Sequence, residues 1–204
     1  DSGGMKLEMR GGSYERYADK ASADLPLSDA VRTKVSAFMV QDRGYLKNIT
    51  TGEWLNGEKS YGIRGDVRFL PTDALTIDLS AEFTSNASTY TGLRNIPGSN
   101  PYVKTQTTQP VFYESASGLR QIGCTDDNVS TLLTTEQGNC NLSENFAIGG
   151  NVNYDLENGS LTYIFGYRHL DQGYINEYNA SAVNKYAGFI LADNAVHEQH
   201  SHEL

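Results

Sequence analysis

Polar and apolar residues alternate along this chain with a period of two, most clearly between Ser60 and Thr84. Successive side chains of a β-strand point to opposite faces, so this pattern predicts strands with one apolar face and one polar face. The segment 70–73 separates two such arms, which predicts an antiparallel hairpin. Its apolar positions are Tyr61, Ile63, Val67 and Phe69 in the first arm, and Leu75, Ile77, Leu79, Ala81 and Phe83 in the second.

The same alternation recurs before and after this hairpin. It covers residues 5–10, 16–25, 31–40, 146–156 and 161–168, although Phe38 and Val40 interrupt it. Asn158-Gly159 is a strong signal for a tight hairpin turn. No segment has a convincing helical period. We therefore predict an all-β, antiparallel fold with about seven strands and, near residue 197, the start of another.

The predicted connections differ in length at the two ends of the strands. Short turns fall at 26–28, 71–73 and 157–159, whereas long loops fall near 44–59, 85–143 and 171–196, apart from a tight link at 11–13. All five prolines lie in predicted turns or loops. Each arm has about ten residues, which is enough for a tilted strand to cross a bilayer. The pattern predicts part of a transmembrane β-barrel, although a soluble sheet over a core alternates in the same way.

Composition limits the classes of function. The 204 residues are 38% hydrophobic and carry a formal net charge of -9, which argues against nucleic acid as a partner. No apolar run approaches the roughly 18 residues of a transmembrane helix. No spacing of residues suggests a catalytic site or a phosphate-binding loop, so we predict no enzyme and no cofactor.

The two cysteines, Cys124 and Cys140, lie in a polar stretch where a free thiol would be exposed. We predict a disulfide between them, which would place the chain in an oxidising compartment such as the periplasm or the cell surface. The alternative is two unrelated free cysteines.

Three sets of polar residues are candidates for function. His197, His200 and His202 lie near the end of the chain, and the last two share a strand face. Because only a neighbouring glutamate completes a ligand set, we predict no metal site there. We expect six charges to face a barrel lumen: Arg64, Asp66, Arg68, Asp78, Glu82 and Arg168. We expect substrate contacts from the longest loop, where aromatic and basic groups suit an anionic or aromatic ligand: Arg94, Tyr102, Lys104, Phe112, Tyr113 and Arg120.

Several runs of sequence resemble, in order and spacing, the early barrel of TonB-dependent outer-membrane receptors. The resemblance covers most of the chain except about 86–143. It implies that residues 1–204 are the N-terminal part of a receptor barrel, without its plug domain and later strands, and that 86–143 is a long extracellular loop insertion. The runs are Leu25 to Asp29, Val31 to Phe38, Asp42 to Asn48, Ser60 to Pro71, Asp73 to Ile77 and Glu198 to Leu204.

The resemblance also implies a function. Such a receptor, in the bacterial cell outer membrane, actively takes up a scarce solute (a ferric siderophore, a vitamin or an oligosaccharide) with energy from the inner-membrane TonB complex. Its partners are the lipid bilayer, its own plug domain, TonB and a small-molecule substrate. Two alternatives remain: a passive porin-like or small complete outer-membrane barrel, and a soluble β-sandwich binding module.

Overall fold

The computed structural model describes residues 3–47, 54–89, 140–177 and 190–204. Its main element is an eight-stranded sheet in the order β1-β2-β3-β6-β7-β8-β9-β10, and β4 and β5 form a separate pair. The strands are β1 (Gly4–Gly12), β2 (Arg16–Ser28), β3 (Val31–Asp42), β4 (Leu46–Lys47), β5 (Trp54–Leu55), β6 (Glu58–Thr72), β7 (Leu75–Thr89), β8 (Cys140–Leu156), β9 (Gly159–Glu177) and β10 (Ile190–Glu203).

Each strand of the main sheet pairs antiparallel with its neighbours in sequence order. The predicted fold class, all-β with antiparallel strands in a partial sheet, is confirmed. The eighth strand, predicted only as a start, is a full strand of 14 residues. At one end of the sheet, here called the short-turn end, the connections are Asp29-Ala30, Asp73-Ala74 and Glu157-Asn158.

The strands near the opposite end, the long-loop end, are longer than the alternation predicts. β7 continues to Thr89, β8 begins at Cys140, β9 reaches Glu177 and β10 begins at Ile190. The outermost residues of β7 are serine, threonine, asparagine and alanine, so the hydrophobic pattern fades before the strand ends. Pairing continues there because backbone hydrogen bonds, and not side-chain polarity, form the ladder.

The prediction that no proline lies in a strand is wrong at two positions. Pro26 lies in β2 and Pro71 lies in β6. Both are next to irregularities in pairing, where the register shifts between Pro26 and Ser28 and between Phe69 and Thr72. A proline is tolerated there because an irregular ladder does not require its missing N–H donor. Pro97, Pro101 and Pro110 lie outside the described residues.

The two sides of the main sheet differ sharply in polarity. One side, here called the apolar face, carries large hydrophobic side chains that are exposed, among them Met5 at 82%, Ile63 at 54% and Leu79 at 45%. The opposite side is the polar face. Among the hydrophobic side chains of the described ranges, only Leu55 and Leu142 are buried. Within these ranges the sheet is therefore a single layer with no protein core on its apolar face.

In the part of the chain that the structure describes, there is no helix with the length and hydropathy needed to span a membrane.

Candidate functional site

The polar face carries rows of charged side chains that the strand register places opposite one another. Arg68 of β6 lies across from Asp78 of β7, and Arg64 lies across from Glu82. Asp66 lies between the two arginines along β6, and Arg168 of β9 follows in the row of Glu82, across Ala147 of β8. All six predicted lumen-facing charges therefore share one face of one sheet.

Arg68 and Asp78 form a two-point ion pair. Arg68 Nε donates to Asp78 Oδ1 at 2.7 Å, and Arg68 Nη2 donates to Asp78 Oδ2 at 3.0 Å. This fork geometry fixes both side chains more firmly than a single contact does. Because both residues come from directly paired positions, the pair also ties β6 to β7 on this face.

Arg64 joins two carboxylates. Its Nε donates to Asp66 Oδ1 at 2.9 Å, and its Nη1 donates to Glu82 Oε2 at 3.0 Å. One guanidinium thus bridges a neighbour on its own strand and a partner on β7. The five side chains therefore form two ion-pair clusters, which the sequence could not assign because the pairing depends on the exact register between the strands.

Arg168 differs from the other five. Its side chain is exposed, and no carboxylate in the described residues pairs with it. It lines a shallow groove of about 360 Å³ together with Glu82, Gln199 and Ser201. A larger groove of about 800 Å³ runs beside it on the sheet, lined by charged side chains that include Asp24, Lys34, Arg64, Asp66, Arg68 and Asp78. Arg168 is therefore a cation of this face that is available to an incoming carboxylate or other anion.

Two connections contact each other at the long-loop end, and we call them together the rim. The first joins β1 to β2 at residues 13–15, and the second joins β3 to β6 and includes residues 43–45 and 54–57. Arg43 is the centre of the rim: its backbone N–H donates to Tyr14 O at 3.1 Å, and its Nη1 donates to Glu15 Oε1 at 2.8 Å. Its guanidinium also lies 4.2 Å from the ring centroid of Trp54. The alternation of strands gave no signal for this contact, since it joins two turns.

The rim holds its backbone in unusual conformations. Tyr14 and Glu15 have φ of 62° and 59°, a left-handed region that non-glycine residues seldom adopt. Gly44 has φ of 85°, and a Cβ there would lie 2.0 Å from Leu55 O, so only glycine fits. The rings of Tyr14 and Tyr45 lie 6.2 Å apart, and each side chain remains about half exposed.

The apolar face changes character at β10. His200 and His202 lie on this face and contact tyrosines of β9: the Tyr163 hydroxyl is hydrogen-bonded to His202 Nδ1 at 2.7 Å, and the rings of Tyr167 and His200 lie 4.8 Å apart. No group of three or more His, Cys, Asp or Glu side chains is placed to hold a metal ion in the described ranges. The histidines are thus partners of aromatic rings, which sequence reasoning missed because the contact crosses strands.

The predicted substrate-contact residues lie outside the described residues: Arg94, Tyr102, Lys104, Phe112, Tyr113 and Arg120. The same holds for Cys124 and for the side chain of Cys140, so the disulfide has no support from the structure and stays a prediction. The loop boundaries 86–143 also stay a prediction, although residues at both of its ends belong to strands β7 and β8.

Comparisons with known proteins give a structural similarity but no match by sequence. No protein-family model matches the chain, and no curated protein matches it by sequence. Among solved structures, the chain is similar to a ferric enterobactin receptor from Pseudomonas aeruginosa in complex with enterobactin, at 15% sequence identity and a TM-score of 0.46. The similarity covers 96% of this chain and 27% of the receptor chain.

Proposed function

We propose that this chain forms part of the barrel of a TonB-dependent receptor in the bacterial outer membrane. The receptor takes up a scarce solute, which is a ferric siderophore, a vitamin or an oligosaccharide, with energy from the inner-membrane TonB complex. The observation that carries the proposal is a single sheet with exposed apolar side chains on one face and charged side chains on the other.

Strand length and exposure both favour lipid as the cover of the apolar face. Strands β7, β8 and β9 have 15, 17 and 19 residues, more than the roughly 9–11 that a tilted strand needs to cross a bilayer. Leaving side chains such as Ile63 and Leu79 in water costs about 25 cal/mol for each Å² of apolar surface. A bilayer removes that cost along the whole face without a second layer of protein.

The remaining parts of the proposal follow from this orientation. The short-turn end faces the periplasm and the long-loop end faces the exterior, as in other outer-membrane barrels. The polar face lines the lumen, where the receptor's plug domain is the partner and Arg168 is an available contact for one of its carboxylates. We assign solute binding to the loop 86–143, which carries Arg94 and Tyr102. We assign no catalytic step.

The first experiment tests the membrane location. The protein is expressed in a Gram-negative host, and the membranes are separated by density and washed with carbonate. We expect the protein in the washed outer-membrane fraction, and we expect it to need detergent for extraction. A monodisperse protein in plain buffer would contradict the proposal and favour a soluble β-sandwich.

The second experiment separates active from passive transport. A host lacking its own receptor for the solute under test is given this protein, and uptake of the labelled solute is followed with and without a protonophore. Active uptake depends on the inner-membrane gradient, so it stops when the gradient collapses. Uptake that continues unchanged would instead identify a passive, porin-like barrel.

A further inference from the structure

A third cleft lies on the polar face, and its lining includes neither Arg68 nor Asp78. It has a volume of about 590 Å³ and spans β1, β2, β3, β6 and β7. Its lining includes Lys6, Lys20, Phe38, Val40, Gly62 and Arg64. All six belong to the polar side of the strand register.

The floor of this cleft is apolar, contrary to the polarity of its face. Phe38 and Val40 occupy positions of β3 that the alternation predicts to be polar. Phe38 is paired with Gly62 of β6, and its ring lies close to that glycine. A Cβ added at Gly62 would lie 2.6 Å from Phe38 Cε1 and 2.9 Å from Thr84 Cγ2. The missing side chain at Gly62 thus leaves room for the Phe38 ring, which lines the cleft.

The walls of the cleft carry charges of both signs, the cations Lys6, Lys20 and Arg64 and the carboxylates Glu8 and Glu82. Lys6 and Lys20 are exposed, and no carboxylate in the described part of the chain pairs with either. Glu8, which lies across from Lys20, pairs instead with Arg10. Lys6 and Lys20 lie on neighbouring strands of the same face, one diagonal position apart, and both carboxylates of the lining are already paired with arginines.

We propose that this cleft binds a small aromatic carboxylate, or a larger solute that presents such a group. The carboxylate lies between Lys6 and Lys20, and the ring packs on Phe38 and Val40. An inorganic anion would leave the apolar floor uncovered, and an uncharged ring would leave both ammonium groups without a partner. The site is a binding site on the wall of the sheet, distinct from the loop to which solute binding was assigned above.

The probe for the test is 4-fluorobenzoate, observed by ¹⁹F NMR line broadening with the full protein in detergent micelles. The matched neutral probe is 4-fluorobenzyl alcohol, which has the same ring and no charge. The test variant is the double substitution Lys6→Gln and Lys20→Gln. The control variant is Lys34→Gln, because Lys34 lies on the same face but pairs with Asp24 at 3.4 Å.

We expect 4-fluorobenzoate to bind in the millimolar range and the neutral probe to bind more weakly. Loss of both lysines lowers the affinity for 4-fluorobenzoate by about tenfold, as removal of two exposed charge contacts would. Lys34→Gln leaves the affinity unchanged, and Phe38→Leu weakens the binding of both probes. Absence of broadening in the wild type, or equal broadening in the double variant, overturns the proposal.

The outcome is independent of the uptake proposal. Lipid and a second protein layer are alternative covers of the apolar face, and neither of them would lie on the polar face that holds the cleft. A protein that binds the probe but needs no detergent would refute the membrane location and leave the cleft assignment standing.

Discussion

The apolar face carries different types of side chain on β7 to β9 and on β10. The register places Leu79 of β7, Gly150 of β8, Phe165 of β9 and His202 of β10 in one row across the sheet. The next row ends at His200, which lies across from Tyr167 of β9. In these two rows the side chains are aliphatic or aromatic on β7 to β9, apart from Gly150, and they are imidazoles on β10.

This difference shows that the side of the sheet on which a residue lies and the surroundings of that side are two separate questions. Alternation fixes which side of a strand a residue faces, because the side-chain period is two. It does not fix what covers that side. On β7 the apolar face carries hydrophobic side chains that suit contact with acyl chains. On β10 the same face carries three polar side chains at alternate positions, where contact with lipid is expected: Glu198, His200 and His202. The tyrosines of β9 moderate the change, because they give the imidazoles an aromatic neighbour.

The largest expected effect on folding free energy comes from comparing an arginine placed on β7 with an arginine placed on β10. Leu79→Arg is expected to cost about 2–4 kcal/mol of folding free energy in a bilayer, as for arginine on the lipid face of other barrels. His202→Arg, in the same row, is expected to cost less because the site already accommodates a polar ring. Urea unfolding from phospholipid vesicles measures both. Equal losses would show that β10 faces lipid just as β7 does.

Glycine substitutions test how tightly side chains pack on the apolar face at β8. A Cβ at Gly150 would lie 2.4 Å from Phe165 Cε1 and 2.9 Å from Leu79 Cδ2. We expect Gly150→Ala to displace the Phe165 ring and to cost about 1–2 kcal/mol, as overpacking does. The control is Gly65→Ala on β6, where no atom lies within 4 Å of the added Cβ. Unfolding curves that shift equally for both would refute the packing argument.

The ion pair between Arg68 and Asp78 on the polar face tests how much an exposed charge pair contributes to stability. A double-mutant cycle with Arg68→Gln and Asp78→Asn is expected to give a coupling of up to about 1 kcal/mol, because the pair is half exposed. Salt should reduce it, since exposed pairs are screened. Urea titrations at low and high salt measure the coupling. A coupling that salt leaves unchanged would mean that the pair is covered in the folded protein.

The smallest expected effect comes from removing the hydrogen bond between the tyrosine of β9 and the histidine of β10. Tyr163→Phe removes the hydroxyl that is hydrogen-bonded to His202 Nδ1, and we expect a loss of about 0.5 kcal/mol at this exposed site. Tyr154→Phe, on the same face of β8, is the control. If both substitutions have the same effect on unfolding, the hydrogen bond contributes nothing to stability.

The sequence predicted the faces of the strands better than their ends. Residues such as Ile63 and Leu79 could be assigned to one face because alternation follows from backbone geometry. The ends of β7 and β9 were placed too early because their last residues are polar, while backbone pairing continues beyond them. Local patterning therefore identifies a strand only where its two faces meet different surroundings.

The candidate site was less predictable, since its contacts join residues far apart in the chain. The six charges predicted to face a lumen share the polar face, but the pairing of Arg64 with Glu82 could be found only from the register. Phe38 interrupts the alternation in the sequence, and only its position over Gly62 identifies it as the floor of a cleft. The contacts of His200 and His202 with β9 likewise cross strands.

The rim has a consequence for how the long-loop end fluctuates. Arg43 links its own connection to the turn at Tyr14 and Glu15 through one backbone hydrogen bond and one ion pair, and its guanidinium also lies over the Trp54 ring. These two segments should therefore open together as one cooperative unit, and their amide protons should exchange with solvent at similar rates. Removing the guanidinium with Arg43→Gln would uncouple them, so that each segment would exchange at its own rate.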